Sequence, residues 1–400
     1  MMRGIHLQKK RGIQYSKIGI LSLAHMLNDL YSNYLPQLLP FLVVIHSGFT
    51  ATRAAILVSS FTITSSFAQP LFGYFLDQQG KRWLLYVGTL WMALMLSLTG
   101  IVENYWTLVL LAGLAGLGTA AFHPQASTMI NILSGDYKGI LLSTFVAFGN
   151  MGFALGPLLL VPLFQYYGLQ ATLVTVIPGI LVALLLLFFS PRNTVISGNS
   201  PEFSAVWHSI KAAKKELAAI ISVIAIRSLS YTGMLTMLPL YFQSKNLSNI
   251  AASRMLTIML FAGAVGGILG GFISDSFGRK RLIVGSLILS TPLFFLFFFT
   301  EGVVSTLFLG IAGATLLSSF AVTVIATQEA IPENKALAAG LSMGLAGGIG
   351  GISVIAIGRI ADIWGLSTAV FVIFLLPIVA GLIGLSMKSR PAARDERIKG

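Results

Sequence analysis

Twelve long apolar stretches separated by short polar punctuation organise this chain. They fall at 17–43, 53–76, 83–102, 106–133, 139–164, 169–190, 218–243, 251–275, 281–300, 303–330, 336–361 and 366–387. Turn and charge signals divide them, among them His46-Ser-Gly, Asp77–Arg82, Ser134–Lys138, Lys245–Asn249 and Ser274–Arg281. A helix of about 20 apolar residues crosses the hydrocarbon of a bilayer, so each stretch is long enough to span. Runs such as Leu181–Phe189 and Phe294–Phe299 are tolerated only by lipid or a very dry core. The pattern predicts an all-α membrane protein of twelve transmembrane helices, numbered here as spans 1–12. The longest polar stretch, Pro191–Glu216, lies near the middle. It predicts a linker at 191–217 between a six-helix bundle at 1–190 and a second at 218–400, which ends in a short basic tail.

Composition sharpens the picture. Hydrophobic residues make up 56% of the 400 and charged residues 10%, against about 25% charged in soluble domains. A soluble fold of this size cannot hide so much apolar surface. Of the 26 Lys and Arg residues, 21 fall on the segments that share a side with the N-terminus, against Arg53, Lys245, Arg254 and Arg359 on the other side and Arg227 within a span. The positive-inside rule then places both termini in the cytoplasm. The net charge of +13 faces an anionic leaflet, and no nucleic acid is needed to explain it. The first span is long and lacks a small-residue cleavage site, so it reads as an uncleaved helix. With no cysteine, thiol chemistry is excluded.

The two halves repeat. Gly73-Tyr-Phe-Leu-Asp77-Gln-Gln-Gly80-Lys81-Arg82 recurs as Gly271-Phe-Ile-Ser-Asp275-Ser-Phe-Gly278-Arg279-Lys280 at an offset of 198. Phe122, Gly149 and Gly152 pair with Phe320, Gly347 and Gly350 at the same offset, and Pro40 pairs with Pro239 at 199. One register over several spans implies two similar halves related by an axis along the membrane normal, which suits alternating access around a central site.

Each motif carries a physical role. Gly73 lets helices approach closely, Gly80 makes a tight turn, and Lys81 and Arg82 anchor to headgroups. Asp77 at a helix end can stabilise a helix N-terminus or pair with a basic residue in one conformation only, as a gate element, the alternative being an anchor that holds a short loop. A degenerate third copy, Gly358-Arg-Ile-Ala-Asp362-Ile-Trp-Gly365, lies at the other end of span 11 and suggests an outer gate. In span 5, Gly149, Gly152 and Gly156 permit close helix contact and Pro157 bends the helix.

These loops resemble those of the major facilitator superfamily over nearly the whole chain. Gly149-Asn-Met-Gly152-Phe-Ala-Leu-Gly156-Pro157 is similar to the glycine–proline motif of that superfamily's drug:proton antiporters. Ser22-Leu-Ala-His25-Met-Leu-Asn28-Asp29, Phe122-His123-Pro124 and Gln328-Glu329-Ala-Ile-Pro332 resemble the fosmidomycin-resistance family of efflux proteins. Gln125 stands where relatives carry an acidic residue, and Ala112 where many such antiporters carry an arginine. The resemblance implies a bacterial inner-membrane, monomeric antiporter driven by the proton gradient, with no cofactor, and a role in drug efflux and antibiotic resistance. It also implies that spans 1, 4, 7 and 10 line one cavity.

Ionisable groups inside those spans are costly, about 2.5–3.5 kcal/mol each, and call for a reason. His25 and Asp29 share a face of span 1; His123 is in span 4, Arg227 and Tyr231 are in span 7, and Gln328 and Glu329 close span 10. Asp29 or Glu329 is expected to carry a proton, with His25 or His123 beside it, and Arg227 to hold an anionic substrate group; His25 itself reads first as a hydrogen-bonded histidine at a helix contact. A static Asp29–Arg227 pair is the structural alternative. Asn28 aligns with Arg227 in the repeat, so the halves differ in charge at matching positions.

The expected function is therefore proton-coupled efflux of small amphiphilic or anionic compounds. Uptake of an organic anion and a non-transporting receptor are the alternatives. An enzyme is not expected. No metal-ligand spacing, nucleophile elbow or phosphate loop appears, and no metal site is expected.

Overall fold

The structure, a computed structural model, describes residues 14–79, 82–134, 137–191, 210–332, 338 and 340–389, with backbone alone for 73–79, 138 and 139. Most of the 191–217 linker and the basic tail lie outside these residues, as do Gly80 and Lys81.

Helices fill the predicted spans. Among the described residues, eleven are long and apolar enough to cross a membrane on their own. The first crosses in two pieces, Tyr15–Ser32 and Tyr34–Ile45. Pro36 explains the break, because its ring meets the carbonyl four residues earlier, that of Ser32, and offers it no N–H. Asn33 fills the joint: its side chain donates to the Phe153 carbonyl (2.9 Å) and accepts from Gln37 (3.3 Å). Spans 2, 4, 5, 7, 8, 9, 10 and 12 run Ala51–Gln79, Tyr105–Leu133, Lys138–Tyr167, Lys214–Ser244, Asn249–Phe277, Arg279–Phe299, Gly302–Ala330 and Leu366–Gly384. Span 3 is Trp83–Ser97 with a 3₁₀ turn after it, and span 6 is Val176–Phe189 with one before it. Span 11 starts as a π-helix, Gly340–Ala346, and continues as Gly347–Trp364.

The packing repeats with the sequence. Span 2 packs on span 4, span 3 on spans 4 and 6, and span 1 on span 5; spans 8 on 10, 9 on 10 and 12, and 7 on 11 are the counterparts. The halves meet through span 2 against span 11 and span 5 against span 8, which are also counterparts. Helices in lipid gain little from burying apolar surface, so close approach over small residues holds them. The repeat glycine expected to permit this, Gly271, faces open space, whereas its neighbour Gly270 sits on the Ser318 backbone of span 10. The role therefore shifts by one residue from the sequence expectation. Gly278 does make the tight turn, with φ +88° and its N–H donating to Ser274 at 2.9 Å.

Call the end of the bundle that holds Tyr15 the near end and the other the far end. Large apolar side chains such as Leu181, Phe188, Phe261, Leu296 and Leu307 stand exposed around the bundle. Exposed aromatics cluster at span ends, Trp83 and Tyr137 at the near end and Trp106, Tyr166, Tyr167 and Trp364 at the far end, as at the two interfaces of a bilayer.

Candidate functional site

Halfway along span 1, His25 and Asp29 share a helix face and meet His123 of span 4. Nε2 of His25 lies 3.4 Å from Oδ2 of Asp29, and Nε2 of His123 lies 3.3 Å from Oδ1. The carbonyl of Phe145 on span 5 accepts from Nδ1 of His25 at 2.8 Å, and the Phe145 ring stacks on the imidazole at 4.0 Å. A carbonyl can only accept, so Nδ1 carries a hydrogen and Nε2 is the atom turned to the carboxylate. His123 meets His25 edge-on at 5.1 Å.

The span 5 glycines explain how three helices converge here. A Cβ at Gly149 would collide with Oδ2 of Asp29 and with the His25 ring, and one at Gly152 with the Met26 carbonyl. The glycine–proline motif is thus helix packing, applied to the turn of span 1 that bears His25 and Asp29. Its counterpart Gly347 faces open space. Gly156 makes only ordinary contact with Asn33.

Across the bundle Arg227 is 2% exposed. Its Nη1 donates to the Thr323 hydroxyl at 3.2 Å, and its guanidinium lies 4.7 Å from the Phe320 ring centre. Both partners are on span 10, so neither the static Asp29–Arg227 pair nor any other carboxylate partner of Arg227 occurs among the described residues. Phe320 is the repeat counterpart of Phe122, which stacks on His25 at 6.3 Å. Each half thus sets one cationic or titratable side chain against the same aromatic position. Tyr231 stacks on Phe153 at 6.1 Å, joining span 7 to span 5.

Other expected site residues lie elsewhere. Asn28 is buried on span 3, donating to the Ala24 carbonyl and the Thr89 hydroxyl at 3.0 Å. Glu329 does not join the central cluster. It accepts from Arg279 at 3.4 Å at the near end, where Arg279 also bonds Asp275 at 2.6 Å and the Ser274 hydroxyl at 2.5 Å. Glu329 belongs to the second copy of the repeated loop, because it sits in the last turn of span 10 and not midway along it. Gln328, one residue earlier, is half-buried there, and Lys280 is half-buried beside Arg279. Arg82 departs from the headgroup role. It donates to the Leu187 and Ser190 carbonyls at 2.5 and 3.2 Å, satisfying the C-terminus of span 6. The side chain of Asp77 lies outside the described residues.

The degenerate third copy makes a clasp. Oδ1 and Oδ2 of Asp362 accept from the backbone N–H groups of Ala51 (2.8 Å) and Thr52 (3.1 Å). An acidic residue of one half thereby caps the first turn of span 2 in the other. Ser59 donates to the Gly351 carbonyl, Gln243 to the Pro40 carbonyl and Asn249 to Gln165, all between halves and all toward the far end.

Sequence reasoning missed Phe145, Thr323 and Phe320. The repeat pairing of Phe122 with Phe320 is the signal that points to the last.

With the geometry in place, comparison with known proteins decides the family. The model of the Major Facilitator Superfamily matches residues 21–336. The chain belongs to the major facilitator superfamily. It is 29% identical over 399 residues to the uncharacterized MFS-type transporter YfnC of Bacillus subtilis, covering 97% of each chain. It is 28% identical over 383 residues to the fosmidomycin resistance protein of Escherichia coli, covering 93% of each. The multidrug resistance protein MdtG of Salmonella paratyphi A matches at 27% over 244 residues, covering 58% of this chain and 60% of its own. Two solved structures share the fold at 16% identity. They are the nucleoside transporter NupG (TM-score 0.78, covering 93% of this chain and 99% of that one) and an inward-facing bacterial homologue of the lysosomal transporter Spinster (TM-score 0.76, 93% and 96%). The protein is thus a multi-pass membrane transporter of this superfamily.

Proposed function

We propose that the protein exports small amphiphilic or anionic compounds in exchange for protons, by alternating access, as a monomer in a bacterial cytoplasmic membrane. The observation that carries the reading is the His25–Asp29–His123 cluster, held in one half midway along the spans, with buried Arg227 in the other half. A partly buried carboxylate between two imidazoles has acceptors enough to take a proton and hand it on. Arg227, bonded within its own half to a neutral hydroxyl and an aromatic ring, keeps guanidinium donors for an anionic group of a substrate. Two relatives bear the names of resistance proteins, which supports export. The Lys and Arg bias makes the near end cytoplasmic, and the Asp362 clasp then closes the outer end.

The cycle follows from these parts. Protonation of the cluster removes the charge of Asp29, and substrate at Arg227 adds one. The halves rock about the contacts of span 2 with span 11 and span 5 with span 8, breaking the Asp362 clasp on one stroke. Growth of an efflux-deficient host with and without the gene, across a compound panel that includes phosphonates, tests the reading. A protective effect on amphiphilic or anionic compounds is expected; gene-dependent sensitisation to anions would indicate uptake instead.

A further inference from the structure

The sequence offers no metal-ligand spacing, yet the fold assembles one. His25, Asp29 and His123 each offer a ligand atom, and these atoms lie within 4.8 Å of one another. Zinc binds imidazole nitrogen at about 2.0–2.1 Å and carboxylate oxygen at about 2.0–2.2 Å, which sets neighbouring ligands of a tetrahedral site about 3.3–3.5 Å apart. His25 Nε2 lies 3.4 Å from Oδ2 of Asp29 and His123 Nε2 lies 3.3 Å from Oδ1, one imidazole on each carboxylate oxygen, so the set lies within a short side-chain adjustment of that spacing. We propose that this cluster is a binding site for a divalent late first-row transition-metal ion.

Three further observations support the assignment. The first is the Phe145 carbonyl. Metal-ligating histidines ordinarily donate their other ring N–H to a carbonyl or carboxylate, which fixes the tautomer and aims the ligating nitrogen. Nδ1 of His25 makes this bond at 2.8 Å, leaving Nε2 as the ligand. The second is access. The side chains of Asp29 and His123 are 18% and 24% exposed, whereas that of His25 is 8% exposed. The ligand set is therefore closed toward the helix interface and open on its His123 side, where water or an anionic group would complete a tetrahedron. The third is chemistry. Two imidazoles and one carboxylate suit zinc, cobalt or nickel, whereas magnesium and calcium prefer all-oxygen shells. All three ligands come from spans 1 and 4, so the ion binds one half and leaves the contacts between halves untouched. The proposal rests on this geometry and uses the same three side chains as the proton reading, so ion and proton compete for one site; zinc binding is measured without substrate or a proton gradient, so either reading can fail alone.

The test uses the full-length protein in detergent with a tag free of histidine, and His6, His46 and His208 changed to Gln. Zinc chloride titrated by equilibrium dialysis should bind at one saturable site per chain. Excess cobalt should displace it and excess magnesium should not. Asp29→Asn and His123→Gln should each weaken binding by about tenfold or more, while Glu329→Gln leaves it unchanged. Electron-spin-echo spectroscopy of the copper-loaded protein, with His25, Asp29 and His123 intact, should count two coordinated imidazoles whether or not the variants fold. Absence of saturable zinc binding, binding by both folded ligand variants as tight as that of the unsubstituted protein, or fewer than two imidazoles on the ion would overturn the proposal.

Discussion

Oδ1 of Asp29 on span 1 lies 3.3 Å from Nε2 of His123 on span 4. Span 5 passes close behind this carboxylate with glycine at position 149, where a Cβ would meet Oδ2 of Asp29 and the His25 ring.

That close pass yields the first prediction. Gly149→Ala drives a methyl group into Asp29 and His25 and should lower stability by about 1–3 kcal/mol, the usual cost of overpacking. Gly347→Ala, at the counterpart facing open space, should be neutral or slightly stabilising, since alanine is the better helix former by about 1 kcal/mol. Thermal unfolding of the purified variants distinguishes the two, and equal losses would contradict the packing described.

Arg227 should govern charge selectivity. Arg227→Ala should reduce transport of anionic compounds by about tenfold or more, the value of a hydrogen bond to a charged group, with less effect on cationic ones. Arg227→Lys keeps the charge and loses the guanidinium over the Phe320 ring, so it should restore anion transport only in part. Parallel uptake assays in everted vesicles with an anionic and a cationic compound measure this. Equal losses for both would make Arg227 structural.

The Asp362 clasp should bias the conformational equilibrium. Asp362→Ala removes two cap bonds between halves and should shift the balance by about 1 kcal/mol, roughly fivefold, toward the state open at the far end. The chain has no cysteine, so Ala55→Cys, fully buried near the clasp, is a clean reporter. Its labelling by an impermeant maleimide should accelerate in the Asp362→Ala background, and an unchanged rate would remove the clasp from the gate.

Glu329 and Asp29 should part company. Glu329→Gln loses a half-exposed ion pair with Arg279, worth under about 1 kcal/mol at such a site, and should leave proton coupling intact. A coupling defect in Glu329→Gln equal to that of Asp29→Asn would place the proton at the near end.

Much of this was legible in the chain, for physical reasons. Hydrocarbon admits only long apolar helices, so the spans stand out, and the cost of charge in lipid marks Asp29, His123 and Arg227. The repeat fixes which helices correspond. Contacts between distant spans were not legible. His25 and Asp29 read as an i, i+4 pair, but the arrival of His123 depends on how span 4 packs against span 1, and the metal-like geometry is invisible at that separation. Glu329 was misplaced because a position near a span end does not reveal whether the side chain meets the cavity or the adjoining loop. Gly271 and Arg82 went astray similarly: a motif marks a turn, while the partner of each side chain belongs to the packing.

The central claim is that Asp29 carries the coupled proton. The most direct measurement is proton release in everted vesicles holding an imposed proton gradient, on addition of a substrate identified by the growth panel, with Asp29→Asn set beside the unsubstituted protein. Substrate should discharge the gradient through the unsubstituted protein, and Asp29→Asn should bind substrate yet discharge nothing. Substrate-driven discharge persisting in a folded Asp29→Asn would contradict the claim.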